Sequence, residues 1–469
     1  MATVTRRQWL AGLGAAAAAA ALPGAAKPRP NFVLFLADDL GWADLSCYGS
    51  GFYESPVLDR LARDGMRFTD AYAACPVCSP TRAALMTGKY PARVGLTDYL
   101  PGLQPKDRKL LSVQDLDNLP LEEFTIAEAL KEGGYRTFMA GKWHLGGDKH
   151  GPLQQGFEDT IGTPGAAPLR PGESDARRDG AMIDAALNFI ERTRDRPFFA
   201  YLPFTLVHTP INPYQPHVER FQRKLAGMSF PAERLGKERQ GNTRLFQDDP
   251  IYASMVYGMD EQVGRVLRKL DELDLAGNTV VLFTSDNGGL CTHAKPDGGP
   301  TSNRPLRSGK GWCYEGGIRV PLIVRAPGRV KPGSECRVPA ITNDFYPTLL
   351  EMAGVPLMPH QHCDGVSLAP VLRGSRSLDR EAIYWHYPHY GNQGGTPGAS
   401  VRCGDYKLIE FFEDGRIELY NLREDICEQN DLAEKMPDEA ARLRAMLHNW
   451  QRSVQAAIPQ PNPDYVPWR

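Results

Sequence analysis

Past residue 26 the chain has no stretch near the ~18 continuous apolar residues that a membrane-spanning helix needs, so no stable membrane insertion is expected. Net charge is equally scarce. Lysine and arginine number 54 against 56 aspartates and glutamates, a formal balance of −2. No overall basic field exists to draw in a nucleic acid, and any anion site must be local. No internal repeat occurs, and no low-complexity region beyond the N-terminal segment, which excludes solenoids and disordered tails.

What is present is a globular composition, 42% hydrophobic and 23% charged, over 469 residues. That length holds one large domain and a smaller one. The N-terminus reads Thr5, Arg6, Arg7, Gln8, Trp9, Leu10, then an Ala-rich apolar run to Leu22 and small residues to Ala26. Residues 1–26 therefore look like a twin-arginine export signal, too short and too Ala-rich to anchor in a bilayer. Passage through the twin-arginine machinery would place the protein in the periplasm or outside the cell. Its nine cysteines are an odd count for such a protein, so at least one is expected to lack a disulfide partner. The pairing of the rest is not readable from sequence.

Apolar, β-rich runs occur at 32–37, 67–73, 135–140, 198–207, 279–284 and 322–325. Helix-like stretches separate several of them, at 121–132, 180–193 and 252–273. Strand alternating with helix predicts an α/β fold built on a large, mostly parallel sheet with helices on both faces. From about residue 380 the pattern changes to EAIYWHY, YKLIEFF, an Asp-Gly turn at Asp414 and Gly415, IELYNL, and a helical stretch at 437–457. This reads as a small antiparallel sheet with one covering helix. The expected division is a catalytic domain over 27–375 and a C-terminal α+β subdomain over 376–469. Two long polar stretches, 99–120 and 214–249, read as covers over a site or as surface excursions.

In such sheets ligands bind beyond the carboxyl ends of the strands. FVLFLA runs into Asp38 and Asp39, YRTFMA into Gly141, Lys142, Trp143 and His144, FFAYLPFTLV into His208, and TVVLFTS into Asp286 and Asn287. Four segments delivering ionisable or amide side chains at equivalent positions favour one shared site. Adjacent aspartates cannot both face one ion inside a strand, because side chains alternate, so Asp38 and Asp39 belong just past the strand end. Lys142 and His144, two apart, point the same way in an extended segment. In CSPTRAALMTG, Ser79 is expected as a helix N-cap and Pro80 at the first helical position. Cys78 then sits at an anion-attracting helix start, with Arg82 one turn on.

From residue 31 the chain resembles the type I sulfatases of the alkaline phosphatase superfamily, with particular similarity to the arylsulfatase A and N-acetylgalactosamine-sulfatase branch. The family signature, Cys-any-Pro-any-Arg, falls here on Cys78, Pro80 and Arg82; Cys75 does not fit, because Pro76 stands at the wrong spacing. Further matches follow in family order: ADD at 37–39, GKWHLG at 141–146, His208 before Thr-Pro, SDNGG at 285–289 and GKGWCYEGGIRVP at 309–321. The resemblance implies an alkaline-phosphatase-like fold and conversion of Cys78 to formylglycine by a maturation enzyme. It further implies a calcium ion held by Asp38, Asp39, Asp286 and Asn287, with the group at Cys78 completing the site.

The resemblance also implies that a hydrated aldehyde at Cys78 attacks the sulfur of a sulfated small molecule or glycan. Arg82, Lys142 and Lys310 would bind the sulfate, His208 would protonate the departing alcohol, and His144 would assist the diol. Three aspartates against one divalent cation and three basic side chains leave about two positive charges, which suits a monoanionic ester. His293, Asn303, Arg307, His386 and His389 are candidates for sugar contacts or for structural roles. Two rival readings remain. One is a phosphonate or phosphodiester hydrolase of the same superfamily, disfavoured because Asp286 is followed by Asn287 where such relatives have histidine. The other is a sulfated-glycan binder with an unmodified Cys78. A zinc enzyme would need a histidine set not evident around Asp38 or Asp286.

Overall fold

The computed structural model describes residues 29–161, 175–239 and 241–466; the segment read as an export signal lies outside them. Among the described residues no helix is long and apolar enough to cross a membrane. The strands in chain order are β1 (Asn31–Ala37), β2 (Met66–Phe68), β3 (Ala71–Tyr72), β4 (Arg136–Ala140), β5 (Asp159–Ile161), β6 (Phe198–Pro203), β7 (Leu235–Glu238), β8 (Gly241–Arg244) and β9 (Thr279–Ser285). They continue with β10 (Thr292–His293), β11 (Leu322–Arg325), β12 (Ser334–Cys336), β13 (Ala340–Ile341), β14 (Ala382–Tyr387), β15 (Gly398–Cys403), β16 (Tyr406–Phe411) and β17 (Ile417–Asn421).

The main sheet has eight strands in the order β12-β2-β11-β9-β1-β6-β4-β5. Only β11 runs against the rest. β1 is apolar on both faces and wholly buried, as a central parallel strand must be. Its even-numbered side chains, Phe32, Leu34 and Leu36, join Leu85 and Met86 of the helix Cys78–Thr87 with Ile126 and Leu130. Its odd-numbered ones, Val33 and Phe35, meet Tyr252, Val256 and Met259 of the helix Pro250–Glu272. Each such side chain contributes about 1.5–3 kcal/mol by leaving water, and together they fix where the strand ends point.

The expected elements exist with shifted limits. The 67–73 run breaks into β2 and β3 at Thr69 and Asp70, because the Asp70 carboxylate turns aside to Arg319 (2.7 Å) and Arg402 (2.7 Å). The 198–207 run stops being strand after Pro203, and its remainder folds back so that Leu206 O accepts from Asp38 N at 3.0 Å. The helix expected from 121 starts at Ile126, where Thr125 and Glu128 form a reciprocal capping box. Ser79 is not the N-cap expected of it. The helix begins two residues earlier, at Cys78 with Val77 as its N-cap, and the Ser79 hydroxyl accepts instead from Leu100 N at 3.1 Å.

The C-terminal sheet, β14-β15-β16-β17, is antiparallel throughout. The helix Pro437–Ser453 covers it with Ala440, Leu443, Leu447 and Trp450, the last stacked on Tyr384 at 4.9 Å. β15, which opens Gly-Ala-Ser, has no apolar alternation to betray it in the sequence. No disulfide joins any two of the nine cysteines, all of which lie among the described residues.

Candidate active site

β1, β6 and β9 lie side by side and run the same way, so their downstream ends open at one edge of the sheet. Asp38 and Asp39 follow β1, and Asp39 adopts a positive φ of 61° that turns consecutive carboxylates toward one place. Asp286 and Asn287 follow β9; Asp286 Oδ1 accepts from Asp39 N at 3.2 Å, and Asn287 Nδ2 donates to Asp39 Oδ1 at 2.9 Å. Three buried cations close round these acids. Lys142 Nζ lies 2.6 Å from Asp38 Oδ2, Lys310 Nζ 2.7 Å from Asp39 Oδ1, and Arg82 donates Nε (3.0 Å) and Nη2 (2.6 Å) to Asp286 Oδ2. Arg82 Nη2 also stands 3.7 Å from Asp38 Oδ2, so one guanidinium ties the two strand ends together.

Burial opposes ionisation of all three acids, and they resolve it differently. The Lys142 ammonium, then His208 and Arg82, holds Asp38 far below the usual carboxylate range. Lys310 leads in lowering Asp39. Burial and the neighbouring Asp38 charge push Asp286 up to about 7 in spite of Arg82. The cluster's three cations equal the acids in number but do not reach every oxygen. Two of its buried oxygens, Asp38 Oδ1 and Asn287 Oδ1, have no hydrogen-bond partner. Hard, unsatisfied oxygens beside a carboxyl driven toward neutrality are what an oxygen-coordinated divalent cation requires, so the residues fit such an ion. Among the described residues the one group of His, Cys, Asp and Glu close enough to share a metal is Asp38, Asp39 and His208. Asp286 falls outside that group because it faces Arg82.

Cys78 occupies the first turn of its helix, fully buried. Burial raises its thiol pKa while Lys142 and Lys310 pull the other way, so the unmodified thiol is a weak nucleophile. His208 is brought to the site: Nε2 lies 3.6 Å from Asp39 Oδ2, and Nδ1 donates to Thr209 O at 2.5 Å. Burial, then Lys310, lowers its pKa. His144 differs from expectation in backbone, since its φ of 57° breaks the extended geometry that would align it with Lys142. Its Nε2 donates to Leu100 O at 2.7 Å, and burial followed by Lys142 keeps the ring neutral, with Nδ1 unpartnered.

The five weaker candidates all have partners within the protein. Asn303 clamps Gly289 O (2.8 Å) and Ser308 O (3.0 Å), Arg307 pairs Glu238 and Tyr420, and His293 accepts from Lys295 N. His386 donates to Ala457 O, and His389 meets Thr97 Oγ1 at 2.8 Å. The supporting loop at 97–103 escaped the sequence reading. Asp98 accepts from Tyr387 OH of the C-terminal sheet at 3.0 Å, and the adjoining Leu100 binds both Ser79 and His144. Only the polarity of 99–120 hinted at it.

A nucleophile position at a helix start, a cationic cradle and an acidic, oxygen-rich pocket on a mostly parallel sheet define a hydrolase of small oxyanion esters. Residues 30–355 match the sulfatase family model, and 308–456 match that of the N-sulphoglucosamine sulphohydrolase C-terminal region. Human arylsulfatase A is 34% identical, with 82% of this chain and 75% of that protein covered. The N-acetylgalactosamine-6-sulfatase of Canis lupus familiaris is 33% identical, over 85% and 73%. The crystal structure of Ps i-CgsB in complex with k-i-k-neocarrahexaose superposes with a TM-score of 0.75 at 27% identity, over 93% of this chain and 94% of that one. The chain belongs to the sulfatase family, the type I sulfatases of the alkaline phosphatase superfamily, and is a sulfuric ester hydrolase.

Proposed function

We propose that the protein removes sulfate from a sulfated carbohydrate, with Cys78 matured to formylglycine and a calcium ion held by Asp38, Asp39, Asp286 and Asn287. The observation that carries this reading is the pair of unpartnered buried oxygens, Asp38 Oδ1 and Asn287 Oδ1, beside three basic side chains and the start of the Cys78 helix. When bound, calcium would polarise a sulfate oxygen and formylglycine would supply the attacking hydroxyl. Lys142 and Lys310, desolvated and already at hydrogen-bond distance from carboxylates, are positioned to bind sulfate oxygens strongly. Arg82 orients Asp286 and Asp38. His208 keeps Nδ1–H on Thr209 O, so Nε2 can give a proton to the departing alcohol only from the imidazolium form, which the Asp39 carboxylate 3.6 Å away favours. His144, anchored through Nε2, has Nδ1 free to accept a proton.

A carbohydrate substrate is supported by the name of one relative, N-acetylgalactosamine-6-sulfatase, and by the k-i-k-neocarrahexaose in the complex of Ps i-CgsB. Asn287 after Asp286 favours sulfate over phosphonate. The wider proposal includes a formylglycine-generating partner, export through the twin-arginine machinery, and the domain division at 375/376. Turnover of an aryl sulfate against the matching aryl phosphonate, each with and without a calcium chelator, tests the reading. It expects sulfate to be preferred and the chelator to abolish turnover. Preference for the phosphonate, or indifference to chelation, contradicts it.

A further inference from the structure

A groove of about 1160 Å³ lies between the β12 edge of the main sheet and the start of the C-terminal sheet, and none of the active-site residues lines it. Its lower wall, 328–331, follows the downstream end of β11. Because β11 is the reversed strand, that wall sits at the end of the sheet opposite the active site. The last residue of β11, Arg325, pairs with Val281, five residues before Asp286, so the end of β11 stands roughly 17 Å along the strands from the active site.

The groove is basic although the chain is not. Arg380 and Arg402 at its floor are spent on Asp344 (2.6 Å) and Asp70 (2.7 Å). Its rim carries Arg329, Lys331, Arg337, Arg373 and Arg376 against two carboxylates, Glu335 and Glu381. Glu335 is shared with Arg67 at 2.7 Å, which leaves the rim still more positive. Lys331 and Arg376 are exposed, and neither has an acidic partner among the described residues. Arg373 and Arg337 have acidic partners in Glu351 (3.0 Å) and Glu335 (3.2 Å), but in a protein of formal charge −2 the exposed, unpaired Lys331 and Arg376 beside one concavity still focus an anion-attracting field.

We infer that this groove binds a second stretch of a sulfated polysaccharide, anchoring a polymeric substrate whose other end is processed at the Cys78 site. The inference rests on the proposed carbohydrate substrate. Anchoring at two separated places raises the effective concentration of sulfate esters at the active site without altering the chemistry there. A monosaccharide sulfate gains nothing from it.

The test is the double variant Lys331→Ala/Arg376→Ala, with the charge reversal Lys331→Glu/Arg376→Glu beside it; both alter exposed side chains only. Affinity for size-fractionated dextran sulfate is measured at low and raised salt, with unsulfated dextran and a DNA duplex as comparisons. Turnover of an aryl sulfate is followed in parallel. Expected is a roughly tenfold weaker dextran sulfate affinity for the alanine pair, a larger loss for the reversal, and shrinkage of both differences as salt screens the contacts. Aryl sulfate turnover stays at the parent level. Unchanged dextran sulfate affinity in the charge reversal overturns the inference, as does an equal loss toward DNA, which would mark an indiscriminate polyanion surface. If the parent hydrolyses no sulfate ester at all, the proposed function fails separately, because the affinity difference is read without turnover.

Discussion

Two buried knots of charge in this molecule each hold three carboxylates and three cations. In one, Asp70, Glu315 and Glu428 meet Arg319, Arg402 and Lys407, joining β15 and β16 of the C-terminal sheet to the main body. Every carboxylate oxygen there has a partner: Lys407 Nζ bridges Glu315 and Glu428 at 2.9 Å each, and Glu315 N and Tyr72 OH fill the remaining places. The other, at the strand ends, has the same formal charges but leaves Asp38 Oδ1 and the adjoining Asn287 Oδ1 unmatched. A closed knot is a joint. An open one, with its acids forced together and incompletely paid in hydrogen bonds, is a place for a ligand.

Substitution can break that contrast. The largest effect is expected from Asp38→Asn: loss of turnover of about a thousandfold or more, since a metal's charge stabilisation is worth several kcal/mol and each ~1.4 kcal/mol is tenfold in rate. Steady-state kinetics check it, and near-parent turnover would dissolve the distinction. Lys407→Met, in the closed knot, leaves Glu315 and Glu428 facing each other and is expected to cost about 3–5 kcal/mol of stability while folded molecules keep their turnover. Denaturant unfolding measures this directly. Calcium at a hundredfold above its Kd should stabilise the parent and Lys407→Met by about 2.7 kcal/mol, but not Asp38→Asn. Equal calcium shifts in all three would place the ion elsewhere.

The smallest effect concerns pH. Burial pushes His386, in the C-terminal sheet, down to about 4 from an ordinary 6.5. The unfolded chain then binds a proton that the folded one refuses, so the stability tied to His386 is present above pH ~6.5 and is lost as pH falls toward 4. His386→Gln should flatten the fall in unfolding midpoint across that interval. The same slope in the variant would refute this.

The open knot was legible in the sequence and the closed one was not, for a physical reason. Asp38, Lys142, His208 and Asp286 each end an apolar run, so periodicity exposes them, and the Cys78-Pro80-Arg82 spacing marks the helix start. Asp70, Arg402 and Lys407 lie within or between short strands and carry no local sign that they are buried; their pairing spans up to 332 residues of sequence. The same holds for the loop at Leu100. Its carbonyl orients His144, yet backbone contacts leave no trace in residue type. The two-residue error at Ser79 has a similar origin: its hydroxyl satisfies a distant amide rather than its own helix.

The central claim is that the open knot surrounds an oxidised side chain, and mass analysis of the peptide containing residue 78, taken from active protein, reads that directly. The account predicts an aldehyde, lighter than cysteine and captured by a hydrazide, in proportion to specific activity. An intact thiol in fully active protein would contradict it.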